Sequence, residues 1–127
     1  MSDLVTMSVE HHPRHQVITL RGEIDISNSD EVLRRCRAGL HEGAVVVDLS
    51  GVEYLDSAGV RGLDELHAQA GSLGRTLVLV ASPIVRRILE LTAIDRTVVV
   101  YDTLFDANQA AAGAASLQSG PPPDGLT

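Results

Sequence analysis

The chain has 127 residues, 44% of them apolar, which is enough for one domain with one core and too few for two. A formal charge of -7 would repel phosphate backbones and anionic membranes, and an aromatic content of 2% leaves almost no platform for stacking bases. All basic residues are Arg, which excludes a P-loop lysine, Schiff-base chemistry and a lysine general base.

No Gly-rich phosphate-binding motif of the P-loop or dinucleotide type is present. The single cysteine, Cys36, has no partner for an internal disulfide, and its neighbours Val32, Leu33 and Leu40 suit a buried thiol. No stretch approaches the length of a membrane span, and the N-terminus lacks the basic start and long apolar run of a signal peptide. A soluble cytoplasmic protein is expected.

Leu4 to Glu10 and Gln16 to Arg21 alternate apolar and polar residues and read as two strands. His11-His12-Pro13-Arg14 between them reads as a turn, so the pair is expected to form an antiparallel hairpin towards the sheet edge. His11, His12 and His15 lie close together, yet no Cys or carboxylate is spaced around them to complete a metal's ligand set, so no metal site is expected. His41 and His67 read as surface residues.

Gly22-Glu23-Ile24-Asp25 leaves the second strand, and Ser27 or Ser29 is then expected to cap a helix running to about Glu42, with Gly43 ending it. Val32, Leu33, Cys36 and Leu40 form its buried stripe. Asp25 fits equally well as a turn-forming carboxylate and as part of a binding surface.

Val45-Val46-Val47 is a continuous β-branched run, as expected of a parallel strand covered on both faces. Asp48 is expected to order a polar turn at Ser50-Gly51. After Asp56-Ser57-Ala58-Gly59 a helical pattern begins, with Val60, Leu63, Leu66 and Ala70 on one face and Gly71 and Gly74 closing it. Gly62 inside that helix costs about 1 kcal/mol relative to Ala, which a close approach of helix to sheet would explain.

Thr76 to Val80 is a further buried strand, and Ser82-Pro83 places a cap before a proline in the first helical turn. Ile84, Val85, Ile88, Leu89 and Leu91 read as the buried side of that helix, with Arg86 and Arg87 facing out. Thr97 to Tyr101 reads as the last strand. Thr103 opens an Ala-rich helix that fades after Ala115, and the end of the chain, with its GPPPDG, reads as a disordered tail. The domain is therefore set at residues 1–117 and the tail at 118–127. The fold class is α/β, a mixed β-sheet of four to five strands with about four helices packed mainly on one face.

Ser57 sits where a helix begins, and as a residue type it fits an N-cap, its hydroxyl accepting from a backbone N–H one or two residues into the helix. The stretch from Val45 to Leu63 also resembles the signature of the STAS domain, the family of bacterial anti-sigma factor antagonists, whose members carry Asp-Ser-Ser-Gly or Asp-Ser-Thr-Gly between strand and helix. Gly22-Glu23-Ile24-Asp25 and Ser82-Pro83-Ile84-Val85-Arg86-Arg87-Ile88-Leu89 agree with it in the expected order. The resemblance covers about Leu4 to Asn108.

That resemblance implies a non-enzymatic partner switch. The serine matching Ser57 is the phosphorylation site, and Asp25, Asp56, Ser57, Ala58 and Gly59 contact the partner, an anti-sigma factor that is also a serine kinase. The unmodified protein binds that factor and frees a sigma factor, and phosphorylation releases it, so transcription is regulated without direct nucleic-acid contact. No cofactor is implied, since ATP belongs to the kinase, and a monomer or weak dimer is expected. The alternative is a non-switching STAS module, a ligand sensor or a subunit of a transporter or signalling complex.

Gly59 would leave the Ser57 hydroxyl open to a kinase, or serve turn geometry alone. Two departures from the family pattern stand out: Ala58 replaces a second hydroxyl residue, and Ala93 stands where relatives often have Gly. A Ser-His-Asp hydrolase built on Ser57 is disfavoured, because Leu55 occupies the position of a nucleophile elbow's first glycine.

Overall fold

Five strands form one sheet in the order β1-β2-β3-β4-β5, in a computed structural model that describes residues 4–118. β1 (Val5–His11) and β2 (His15–Ile24) make the antiparallel hairpin read from the sequence. β3 (Ala44–Leu55), β4 (Leu77–Ala81) and β5 (Val99–Tyr101) follow in parallel. The helices are α1 (Ser29–Glu42), α2 (Ser57–Leu73), α3 (Pro83–Leu91) and α4 (Leu104–Gln118). All of the proposed tail after residue 118 lies outside the described residues.

The period-two alternation of the strands divides the core. Ile18, Leu20, Val45, Val47 and Leu79 meet Cys36, Leu40, Leu63, Leu66, Val85 and Leu89 of α1, α2 and α3 on one face. Val17, Val46, Val78 and Val80 meet Ala107 and Ala111 of α4 on the other. Three helices on one face and one on the other match the fold expected. The small alanines let α4 lie close on the sheet, and α4 is the reason β3 had to be apolar on both sides.

β3 departs from its reading. No turn forms at Ser50-Gly51, and the strand runs on to Leu55, paired with β2 from His15↔Ala44 to Ile24↔Leu55. Asp48, buried at 6% exposure, accepts from the Ser50 N–H at 2.9 Å and the Ser50 Oγ at 2.6 Å. These bonds satisfy the backbone locally while β3 takes an extra residue relative to β2 between Asp48 and Gly51 and another between Val52 and Tyr54, so the polar stretch is bulged strand. β4 pairs only as far as Leu49↔Ala81, so the end of the β2–β3 ribbon projects past it and carries Ile24 and Leu55 side by side.

Other local readings change for equally specific reasons. Asn28 is the residue before α1, and Ser29 is its first turn. In α3 only Val85 and Leu89 are buried, because a nine-residue helix lying on the sheet covers one narrow stripe; Ile84 and Leu91 are 62% and 70% exposed. Arg86 turns back to Asp102 Oδ1 at 3.0 Å and the Val100 carbonyl at 3.1 Å, tying α3 to β5. Thr97 follows a single 3₁₀ turn, Ile94–Arg96, and the last strand starts only at Val99. Thr103 does cap α4, accepting from the Asp106 N–H at 3.2 Å.

Cys36 is 1% exposed, and burial pushes its thiol up to about 12, so it behaves as a small hydrophobe. Among the described residues no helix is long and apolar enough to cross a membrane, and no group of His, Cys, Asp and Glu is arranged to hold a metal ion.

Candidate functional site

The projecting ends of β2 and β3 bring two loop junctions together. The Asp56 N–H donates to the Ile24 carbonyl at 3.1 Å, so the β2–α1 loop and the β3–α2 junction share one surface. On one side stand Asp25, Ile26 and Ser27; on the other stand Asp56, Ser57 and Ala58.

Asp56, with extended backbone, is the N-cap of α2. Its Oδ1 accepts from the Ala58 N–H at 3.0 Å and from the Gly59 N–H at 3.1 Å. The cap role open to Ser57 is thus taken by its neighbour, because a carboxylate one residue earlier reaches both orphan donors. Ser57 is the first residue of the helix and is exposed. Its hydroxyl has no capping duty to lose.

Asp25 is the hub of the facing loop. Its Oδ1 accepts from the Ser27 hydroxyl at 2.5 Å and the Ser27 N–H at 2.9 Å, and its carbonyl accepts from the Asn28 and Ser29 N–H groups. The Ser27 hydroxyl, then the Ser27 N–H, holds the Asp25 carboxyl below the usual carboxylate range. Asn28, 2% exposed, locks the loop from beneath: its Oδ1 accepts from the Asp25 N–H at 3.0 Å and its amide donates to the Glu23 carbonyl at 3.0 Å. The two readings of Asp25 are not exclusive, since it orders the turn and remains partly exposed beside Ser57.

Of the five residues assigned to this surface, Asp25, Asp56, Ser57 and Ala58 keep solvent exposure, while Gly59 is buried. A Cβ on Gly59 would overlap Leu55 and crowd Ile24, so this glycine faces the core. It brings α2 down onto the β2–β3 ribbon and so sets where Ser57 stands. Gly62 behaves in the opposite way: a Cβ there would meet nothing within 4 Å, and close packing on the sheet does not account for it.

Two residues of this surface were not singled out from sequence. Asn28 supplies the scaffold of the Asp25 loop, and Ile26 is 81% exposed at its tip. An isoleucine between Asp25 and Ser27, in a loop with no apolar periodicity, was the available signal.

A second polar cluster lies elsewhere, at the starts of β2 and β3. His15, buried, bonds Asn108 Oδ1 through Nε2 at 3.0 Å and stacks on His12 with ring centroids 4.7 Å apart. Gln16 donates to Glu42 Oε1 at 2.7 Å. These contacts join β2 to α4 and α1 and have no part in the Ser57 surface.

Known proteins share this fold. The family profile described as STAS domain matches residues 6–107. The anti-sigma-F factor antagonist RsfB of Mycobacterium tuberculosis is 31% identical over 108 residues, 83% of this chain and 88% of that protein. The crystal structure of an anti-sigma factor antagonist from Mycobacterium paratuberculosis superposes with a TM-score of 0.77 at 34% identity, covering 84% of this chain and 93% of that one. The Bacillus cell fate determinant SpoIIAA in its phosphorylated form shares the fold, with a TM-score of 0.64 at 16% identity over 83% of this chain and 98% of its own. This chain belongs to the STAS domain family.

Proposed function

We propose that the protein is an anti-sigma factor antagonist working as a phosphorylation-gated partner switch: unmodified, it binds an anti-sigma factor that is also a serine kinase, and a phosphate on Ser57 ends that association. The observation that carries the reading is the division of labour at the start of α2. Asp56 holds the helix end, and the exposed Ser57 hydroxyl is left for an incoming enzyme.

The same geometry explains why modification would act on binding. A phosphate adds about -1.5 to -2 charges, and a helix N-terminus ordinarily receives it on unpaired N–H groups. Here the Ala58 and Gly59 N–H groups already serve the Asp56 carboxylate. The new charge therefore stays on the surface, beside Asp56 and across from Asp25. A partner carboxylate docked about 4 Å away would meet repulsion of about 2 kcal/mol even in a water-like dielectric, roughly a 30-fold loss of affinity. The fold loses nothing in this exchange, because Ser57 makes no capping bond.

Calorimetry of a purified cognate anti-sigma factor against the unmodified and phosphorylated forms tests this. Equal affinities would refute it. Ser57→Ala is expected to fold normally and to take up no phosphate when incubated with the kinase and ATP, and incorporation mapped by mass spectrometry in that variant would place the site elsewhere.

A further inference from the structure

Gly62 poses a question that the fold does not answer. It stands in the second turn of α2, where glycine costs about 1 kcal/mol relative to alanine, its φ is not positive, and no atom would obstruct a side chain there. The glycine serves neither backbone conformation nor packing within the molecule. It does keep a groove open. Between the starts of α1 and α2 lies a cavity of about 260 Å³, open to solvent, with Ile26 and Leu33 on one side and Ala58, Arg61 and Gly62 on the other. Behind it an apolar void of about 20 Å³ reaches Cys36 and Leu63, and Leu33, Gly62 and Ser29 line both. The two hollows therefore share a wall made of Ser29, Leu33 and Gly62.

We propose that this groove receives an aliphatic side chain of the anti-sigma factor, inserted between Ile26 and Gly62, and that it is the apolar anchor of the interface gated by Ser57. The inference rests on the partner-switch reading for the identity of the occupant. Ala58 belongs both to the Ser57 surface and to the groove wall, so a partner seated over Ser57 reaches the groove without a gap. Ile26, 81% exposed, gains a dry environment only when something covers it. Ile26 and Leu33 make the inner walls apolar while Asp30, Arg61 and Glu65 stand at the opening, so the inserted side chain is aliphatic and the residues flanking it are polar. A small number of buried apolar contacts of this kind dominates most interfaces.

The experiment sets stability against affinity. Gly62→Ala should raise the thermal midpoint by about 3–5 °C, because a helix propensity is gained and nothing is displaced. Gly62→Met, which fills the groove, should melt no lower than wild type and yet bind the purified anti-sigma factor at least about tenfold more weakly. Ile26→Ser should leave the melting curve in place and weaken binding by a similar factor. Wild-type affinity in Gly62→Met or in Ile26→Ser overturns the inference, as does destabilisation by Gly62→Ala, which would show the glycine to be needed by the fold. The Ser57 reading is tested separately by the phosphorylated wild type: phosphate-sensitive binding with indifferent groove variants removes the groove and leaves the switch, and phosphate-insensitive binding with sensitive groove variants does the reverse.

Discussion

The two ends of the parallel strands are both lined with polar side chains, and they use them differently. At the starts of β2 and β3 the partners are far apart in sequence: His15 bonds Asn108, 93 residues away, and Gln16 bonds Glu42, 26 residues away. At the projecting ends the bonds are local, Asp25 to Ser27 and Asp56 to Ala58 and Gly59, two or three residues apart. Long-range bonds from the buried side chains His15 and Gln16 hold elements together; short-range bonds in a loop shape its backbone and leave the neighbouring side chains, Ser57 and Ile26, without internal work. A polar cluster is more informative about function when its bonds stay at home.

The comparison breaks most visibly under truncation of His15. His15→Ala removes a buried ring and leaves Asn108 unpaired at the sheet–α4 junction, a loss of about 2–4 kcal/mol in chemical denaturation. Affinity for the anti-sigma factor should not change in the fraction that remains folded. Phosphorylation of Ser57 should do the converse: about 2 kcal/mol lost from binding, and a denaturation midpoint within error of the unmodified protein. A large stability change on phosphorylation would mean that Ser57 does structural work after all.

Asp56 belongs to both categories and separates them by charge. Asp56→Ala should cost about 1 kcal/mol of stability through loss of the cap. Asp56→Asn keeps an acceptor for the Ala58 and Gly59 N–H groups and should retain most of that stability, while the phosphorylated form binds its partner less weakly than phosphorylated wild type. A position remote from both ends calibrates the scale. Ala93 follows α3 in the left-handed region, φ 62 and ψ 14, which costs a residue with a Cβ about 1 kcal/mol. Ala93→Gly should recover about that amount less the added chain entropy of glycine, raising the midpoint slightly with no effect on binding.

Much of the fold could be read because the apolar patterns are strong. The Val45–Val47 run and the stretch from Thr76 to Val80 announce buried strands, and α1 carries its buried stripe at the expected spacing. The readings that failed are those in which one polar residue settles the backbone. Ser50-Gly51 has the composition of a turn, and only the buried Asp48 carboxylate, bonded to both groups of Ser50, makes it a bulge. Asp56 and Ser57 are both good caps, and the choice between them depends on which oxygen reaches the Ala58 and Gly59 N–H groups. The surface of α3 was misjudged because periodicity shows how wide an apolar stripe is and not how much of it a neighbour covers; Ile84 and Leu91 lie beyond the edge of the contact. Gly59 and Gly62 look alike in sequence and differ entirely in what a Cβ would meet.

The smallest effect tests the claim that the bonds of the projecting end are local. The Asp25 carboxyl is held below the ordinary carboxylate range chiefly by the Ser27 hydroxyl, a bond that exists only in the folded loop. A carboxyl whose folded value lies below its unfolded value binds its proton more readily in the unfolded chain, so it contributes stability above the unfolded value and loses that contribution as pH falls through the folded one. Ser27→Ala should therefore melt slightly below wild type at neutral pH, with the gap closing in strongly acidic buffer where Asp25 is protonated in both proteins. Carboxyl carbon NMR should show the Asp25 titration moving up towards the ordinary range in the variant. A melting difference independent of pH would mean that the Ser27 hydroxyl supports more than its own loop, and the contrast between the two ends would lose its sharpness.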